Sequence, residues 1–167
     1  MRLQILVKTQ LKDAFTKAAH IVEEEMENAL DDLALRAVAE ARRRAPVDTG
    51  HLRRSIAVEK PGKFMRRVGS GVKYAPYIEF GTRPHWPPYE PIREWVWRNR
   101  RKFGIGGASK AAHREVDRVA FLVQRKIARR GTPAREYMKA AFLRVKEVAE
   151  RIFAHYVRNI VRRMSGG

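Results

Sequence analysis

The residues able to do chemistry are few and scattered. Asp48-Thr49-Gly50 is the triplet on which acid proteases build two aspartates sharing one proton, and a homodimer could supply the second copy. That chemistry needs the triplet at the end of a hydrophobic strand. Here it follows Arg42-Arg43-Arg44-Ala45-Pro46, the close of a helix, so it reads as a structural turn. The five histidines (His20, His51, His85, His113 and His155) form no His-x-x-x-His or His-Glu-x-x-His pair. His85 and Glu79 both fall near a loop, but no third ligand accompanies them. No serine sits in a nucleophile elbow. Gly104-Ile105-Gly106-Gly107 lacks the lysine and the preceding strand of a phosphate loop. Without cysteine, disulfides, thiolate zinc sites and cysteine nucleophiles are excluded. The expectation is a non-enzyme with no cofactor, no metal and no catalytic set.

Charge is the stronger signal. Lys plus Arg number 36 against 18 Asp plus Glu, a formal +18 over 167 residues. The excess is uneven: residues 1–81 hold 15 basic and 11 acidic side chains, residues 82–167 hold 21 and 7. Such a balance calls for an anionic partner: nucleic acid, a membrane surface or an acidic protein. Basic residues cluster at Arg98, Arg100, Arg101 and Lys102, at Arg125, Lys126, Arg129 and Arg130, and at Arg158, Arg162 and Arg163. Part of this excess offsets helix dipoles. The remainder reads as a surface for DNA or an acidic neighbour, with Arg98, Arg100, Arg101, Lys102, Arg129, Arg130, Arg162 and Arg163 as the candidate contacts. No apolar run approaches the roughly 18 residues of a membrane span. The opening residues turn polar too soon for a signal peptide, so a cytosolic origin is expected, without a membrane partner.

The elements that must position these groups follow from periodicity. Leu3-Gln4-Ile5-Leu6-Val7 reads as a short strand. Phe15, Ala18, Val22, Met26, Ala29, Leu33, Ala37 and Ala41 recur every three or four residues and predict a long amphipathic helix, acidic early, basic late, and ended by Pro46. Asp48-Thr49-Gly50 is the expected turn and N-cap of a short helix around His51–Ser55. Alternation at Ile56 and Val58, turn chemistry at Pro61-Gly62 and extended runs at 64–68 and 72–74 predict a small antiparallel sheet with a hairpin. A proline-rich connector over 81–91 leads to a helix bearing Ile92, Trp95, Val96 and Phe103. A second helix is capped by Ser109 and closed by Gly131. A third opens with Thr132 as N-cap and Pro133 as first residue, its inward stripe including Met138, Phe142, Val145 and Ile152. Trp95 is expected in the core and Trp97 at an interface, while Trp86 could stack on bases.

Three segments taken in order are more specific than any one. They are Ala45-Pro46-Val47-Asp48-Thr49-Gly50-His51-Leu52-Arg53-Arg54-Ser55-Ile56, then Tyr74-Ala75-Pro76-Tyr77-Ile78-Glu79-Phe80-Gly81-Thr82, then Gly131-Thr132-Pro133-Ala134-Arg135-Glu136-Tyr137-Met138. Together they resemble the small neck or minor tail-component family of long-tailed double-stranded DNA phages, over residues 1 to about 150. Tyr137 stands where that family commonly carries Phe.

The resemblance implies an α+β fold: a long N-terminal helix packed on a small antiparallel sheet, with a helical insert and a long C-terminal helix. The expected division is residues 1–83 plus 132–164 as the core, 84–131 as the insert and 165–167 as a flexible tail. It implies a virion structural protein of the head–tail junction, a neck or tail-completion protein made in the host cytoplasm. It also implies a homo-oligomeric ring, most often hexameric, around the DNA channel, between head-completion or adaptor proteins and tail proteins. The motif residues Asp48, Thr49, Gly50, Arg53, Arg54, Tyr74, Tyr77, Glu79, Phe80, Gly81 and Thr82, with Trp97, are then structural or interface positions, Phe80 in the core and Glu79 facing an arginine. The acidic patch of the first helix would oppose arginines of a neighbouring copy. The alternative reading is a stand-alone basic nucleic-acid-binding protein.

Overall fold

A computed structural model describes the backbone of residues 2–165 and the side chains of residues 12–165. In chain order the elements are α1 (Arg2–Arg44), α2 (His51–Ser55), β1 (Ile56–Gly62), β2 (Met65–Ser70), α3 (Ala75–Phe80), α4 (Tyr89–Arg98), a 3₁₀ turn (Arg100–Phe103), α5 (Lys110–Arg130) and α6 (Tyr137–Met164). The fold is α+β, with long first and last helices and a two-stranded antiparallel sheet. The described residues divide into two compact units: residues 2–45, 52–71 and 137–165, and residues 46–51 and 72–136.

In the first unit α1 and α6 pack on each other. Glu25 meets Asn159 and Arg163, while Asp32 and Arg36 lie near Tyr156, so the two helices run antiparallel. The buried positions of α1 include Ile21, Ala29, Ala34, Val38 and Ala41, and those of α6 include Ala141 and Ile152. The many alanines let the helix backbones approach closely. The hairpin pairs Ile56 with Ser70 and Val58 with Val68, with an irregularity between Glu59 and Gly62 where Pro61 supplies no donor. Two features fix the hairpin to α1. Arg42 donates from Nε (3.1 Å) and Nη2 (2.7 Å) to the Ile56 carbonyl. Arg66, its side chain only 4% exposed, bonds Asp31 and the backbone carbonyls of Lys63 (2.8 Å) and Met65 (3.2 Å).

In the second unit the core is Val96, Ile105, Ala112, Val116 and Ala120, with Ile92, Trp95 and Val123 packed around it. Ser109 caps α5 by accepting from the Ala112 amide, and Gly131 closes it at φ 68°.

Several expectations fail for identifiable reasons. Residues 3–7 lie in α1 rather than in a strand, because a short apolar run continuous with a helical pattern has no strand partner to pair with. Residues 72–74 turn into α3, whose first turn holds Pro76, instead of extending the sheet. Thr132 and Pro133 do not open α6, which starts at Tyr137; Thr132 is bridged to Thr82 instead. Phe80 is 78% exposed, since a six-residue helix has one inward face and Ala75 and Glu79 occupy it. Phe15 and Phe142 are likewise exposed, the closely approaching α1–α6 seam being filled by smaller residues. Of the expected tail 165–167, the Ser165 hydroxyl bonds the Arg162 carbonyl, and residues 166–167 lie outside the described residues.

Candidate functional site

The second and third motif segments, about fifty residues apart in sequence, meet in the second unit. Thr82 donates its amide to the Thr132 carbonyl (3.0 Å), and the Thr132 amide returns to the Thr82 carbonyl (3.3 Å) and hydroxyl (3.0 Å). The two threonine hydroxyls are 3.0 Å apart. Each threonine is preceded by a glycine at positive φ, Gly81 at 75° and Gly131 at 68°. A Cβ on Gly81 would enter the Thr132 carbonyl, and one on Gly131 would enter the Thr82 carbonyl. Only glycine allows both the left-handed backbone and this approach. The Arg135 and Glu136 amides then donate to the carbonyls of Ile78 (2.9 Å) and Glu79 (3.1 Å), satisfying the last turn of α3. Glu136 itself adopts φ 45°.

This clasp floors a groove of about 960 Å³ lined by Tyr74, Tyr77, Pro84, Trp95, Pro133 and Arg135, among others. Its walls are mainly apolar, and Arg83, His85 and Arg135 place basic groups around it. Tyr74 and Tyr77 are exposed, Glu79 is buried, and His51 lies against Tyr74 with ring centroids 6.4 Å apart.

Asp48 accepts from Arg98 Nη2 (2.7 Å) and Asn99 Nδ2 (3.0 Å). The hydrogen bond from Arg98 holds its carboxyl below the ordinary aspartate range. Asp48 is therefore an ion-pair partner, and the turn toward α2 is closed by Thr49 of the same triplet, whose hydroxyl accepts from the His51 amide (3.4 Å). Gly50 takes a positive φ of 77° in this turn. In the first unit, Arg53 and Arg54 are exposed, and Arg53 Nη2 reaches the Ala45 carbonyl at 3.5 Å.

Trp97 is half-buried and layered: it stacks on His113 (centroids 4.3 Å, planes 11° apart), with the Arg100 guanidinium 4.5 Å from its ring centroid. Arg100 also bonds the Gly107 (3.1 Å) and Trp97 (3.1 Å) carbonyls. Lys102 donates to Asn99 (2.7 Å). In the first unit, Arg163 donates to Glu25 (2.7 Å) and Glu24 (2.8 Å). Arg98, Arg100, Lys102 and Arg163 are thus engaged within the chain. Arg101, Arg129, Arg130 and Arg162 are exposed, and their side chains make no hydrogen bond or ion pair among the described residues. The acidic patch of α1 is also engaged internally. Glu23 takes Lys63, Asp31 takes Lys60 and Arg66, and Asp32 takes Arg36 within the chain.

Two features escape the sequence reading. Arg66 looks like any strand arginine until burial shows it gripping α1. On α5, Gln124 is buried and donates to the Pro87 carbonyl (2.8 Å), and Asp117 receives Arg93 (2.6 Å) and the Tyr89 hydroxyl (3.2 Å). No group of three or more metal-ligating side chains is present among the described residues, and no described helix is long and apolar enough to cross a membrane.

Residues 9–81 match the family described as "Bacteriophage HK97-gp10, putative tail-component". The match takes in the first two motif segments up to Gly81, and agrees with the phage neck and tail-component resemblance carried by the motifs. It supports a structural protein of a phage tail, associated with the virion. No curated protein and no solved structure gives a match.

Proposed function

We propose that this chain is a structural protein of the head–tail junction of a long-tailed phage, assembling as a ring around the DNA channel between head-completion and tail proteins. The observation that carries the reading is the family match over residues 9–81. The geometry supports an assembly role. The motif residues build a backbone clasp and an ion-paired turn rather than an acid, a base and a nucleophile in reach of one another. Rings form from heterologous contacts between identical subunits when the rotation closes.

Deleting the coding sequence from the phage or prophage that carries it tests the reading. The expected result is DNA-filled heads and tails that fail to join, restored by the protein in trans. Infectious particles at normal yield in its absence would overturn the proposal. Cryo-electron microscopy of complete particles should place a ring of this chain at the junction.

A further inference from the structure

The outward face of α5 carries cations that no described residue of the chain holds. The helix buries Ala112, Val116, Ala120 and Gln124, a column repeating every four residues. Arg114, Arg125 and Arg129 lie on the opposite side with Lys126 on its flank, all exposed, and Arg130 stands at the helix end. None of these five side chains makes a hydrogen bond or ion pair among the described residues. The two carboxylates on α5 are already matched, Glu115 by Arg118 (2.6 Å) and Asp117 by Arg93 (2.6 Å). Arg114 to Arg129 spans about 22 Å at roughly 1.5 Å per residue. The cations at 129 and 130 suit the helix C-terminus, but those at 114, 125 and 126 lie beyond the last turn, where the dipole no longer reaches.

We infer that this face of α5 is a sequence-independent contact for the phosphate backbone of double-stranded DNA. An acidic protein would need carboxylates placed opposite each cation. A duplex presents one charge per about 1.7 Å of its axis, so a stripe of about 22 Å meets phosphates in any register. Phosphate contacts of this kind position a protein on DNA without reading sequence. Release of counterions from the duplex then drives the association. The inference rests on the proposed junction role only for where the duplex comes from; the contact itself is a property of the free chain.

The test measures binding of a labelled random-sequence duplex of about 30 base pairs as a function of salt, the slope giving the number of phosphates neutralised. The probe variant carries Arg114→Gln, Arg125→Gln, Lys126→Gln and Arg129→Gln; glutamine keeps helix propensity, and circular dichroism checks the fold. The control carries Lys12→Gln, Lys17→Gln, Lys146→Gln and Arg151→Gln, which removes the same charge from exposed cations of α1 and α6 whose side chains make no bond among the described residues. The expected result is roughly a tenfold or greater weakening for the α5 variant near physiological salt. Its slope should fall by about 0.9 for each phosphate that no longer meets a cation, while the control changes far less. Equal weakening in both variants would reduce the effect to net charge and overturn the proposal. So would unchanged binding by the α5 variant, or tighter capture of a poly-glutamate peptide than of the duplex, which would assign the face to an acidic protein. Failure here leaves the head–tail joining defect untouched, so the two readings fall separately.

Discussion

At the scale of single residues, the strongest constraints are steric and ionic. Gly81 and Gly131 combine positive φ with a carbonyl where a Cβ would sit. Gly81→Ala or Gly131→Ala should each cost about 2–4 kcal/mol in urea unfolding, the sum of left-handed strain and a broken bridge. Gly104→Ala, at φ 74° but facing open space, should cost only about 1 kcal/mol. Arg66 makes a second test. Arg66→Met strips Asp31 and Glu27 of their guanidinium; because both carboxylates keep some solvent and Asp31 keeps Lys60, the expected destabilisation is about 1–3 kcal/mol. Lysine should not rescue it, since one ammonium cannot span the carboxylate and the backbone carbonyls together. Hydrogen bonds from Arg66 and Lys60 hold the Asp31 carboxyl down at about 2. A depressed carboxylate stabilises the fold fully above its unfolded value of 3.8, and that contribution is lost as pH falls toward about 2. The stability gap between wild type and Asp31→Asn, followed by urea melts, should therefore be constant near neutrality and close between about pH 4 and 2.

At the scale of elements, the clasp predicts that residues 84–131 can be excised. Thr82 and Thr132 are hydrogen-bonded neighbours, and the core of Val96, Ile105, Ala112, Val116 and Ala120 lies wholly between them in sequence. Replacing 84–131 by a short Gly-Ser linker should leave the α1–α6 packing and the hairpin intact. A cooperative thermal transition with the helical signal of the remaining segments checks this; a molten product would show that the excised core supports the rest. The same geometry explains what is legible in the sequence. The helices over 51–55 and 109–130, the Pro46 stop and the hairpin are readable because local periodicity and turn chemistry specify them. The pairing of Gly81-Thr82 with Gly131-Thr132 is not, because no local pattern links segments fifty residues apart, and a Thr-Pro step imitates a helix start. The candidate site is half legible. Gly81, Thr82 and Asp48 stand out as residues, but their partners Thr132 and Arg98 come from tertiary structure. Arginine clusters are visible too, yet only burial and ion pairing separate the engaged Arg98, Arg100 and Arg163 from Arg129 and Arg130, which bond no described residue.

At the scale of the whole molecule, a net charge of +18 opposes any contact between copies, and a ring has to overcome that repulsion through apolar surface. Ala154, Val157 and Val161 are exposed along one face of the last turns of α6, so an apolar patch exists there. Self-association through it and binding of DNA must then respond to salt with opposite signs. Salt shortens the screening length from about 10 Å at 0.1 M to about 3 Å at 1 M, which relieves repulsion between copies. The same salt removes the counterion-release drive for DNA. Sedimentation velocity on nuclease-treated protein should show association rising from low to high salt, and the Val157→Asp, Val161→Asp double variant should stay monomeric throughout. Association that weakens as salt rises would instead mean that the copies meet through charge. The contact would then have to draw on carboxylates such as Asp13, Glu90 and Glu150, which make no ion pair among the described residues, because Glu23, Glu24, Asp31 and Asp32 are already engaged by cations of their own chain.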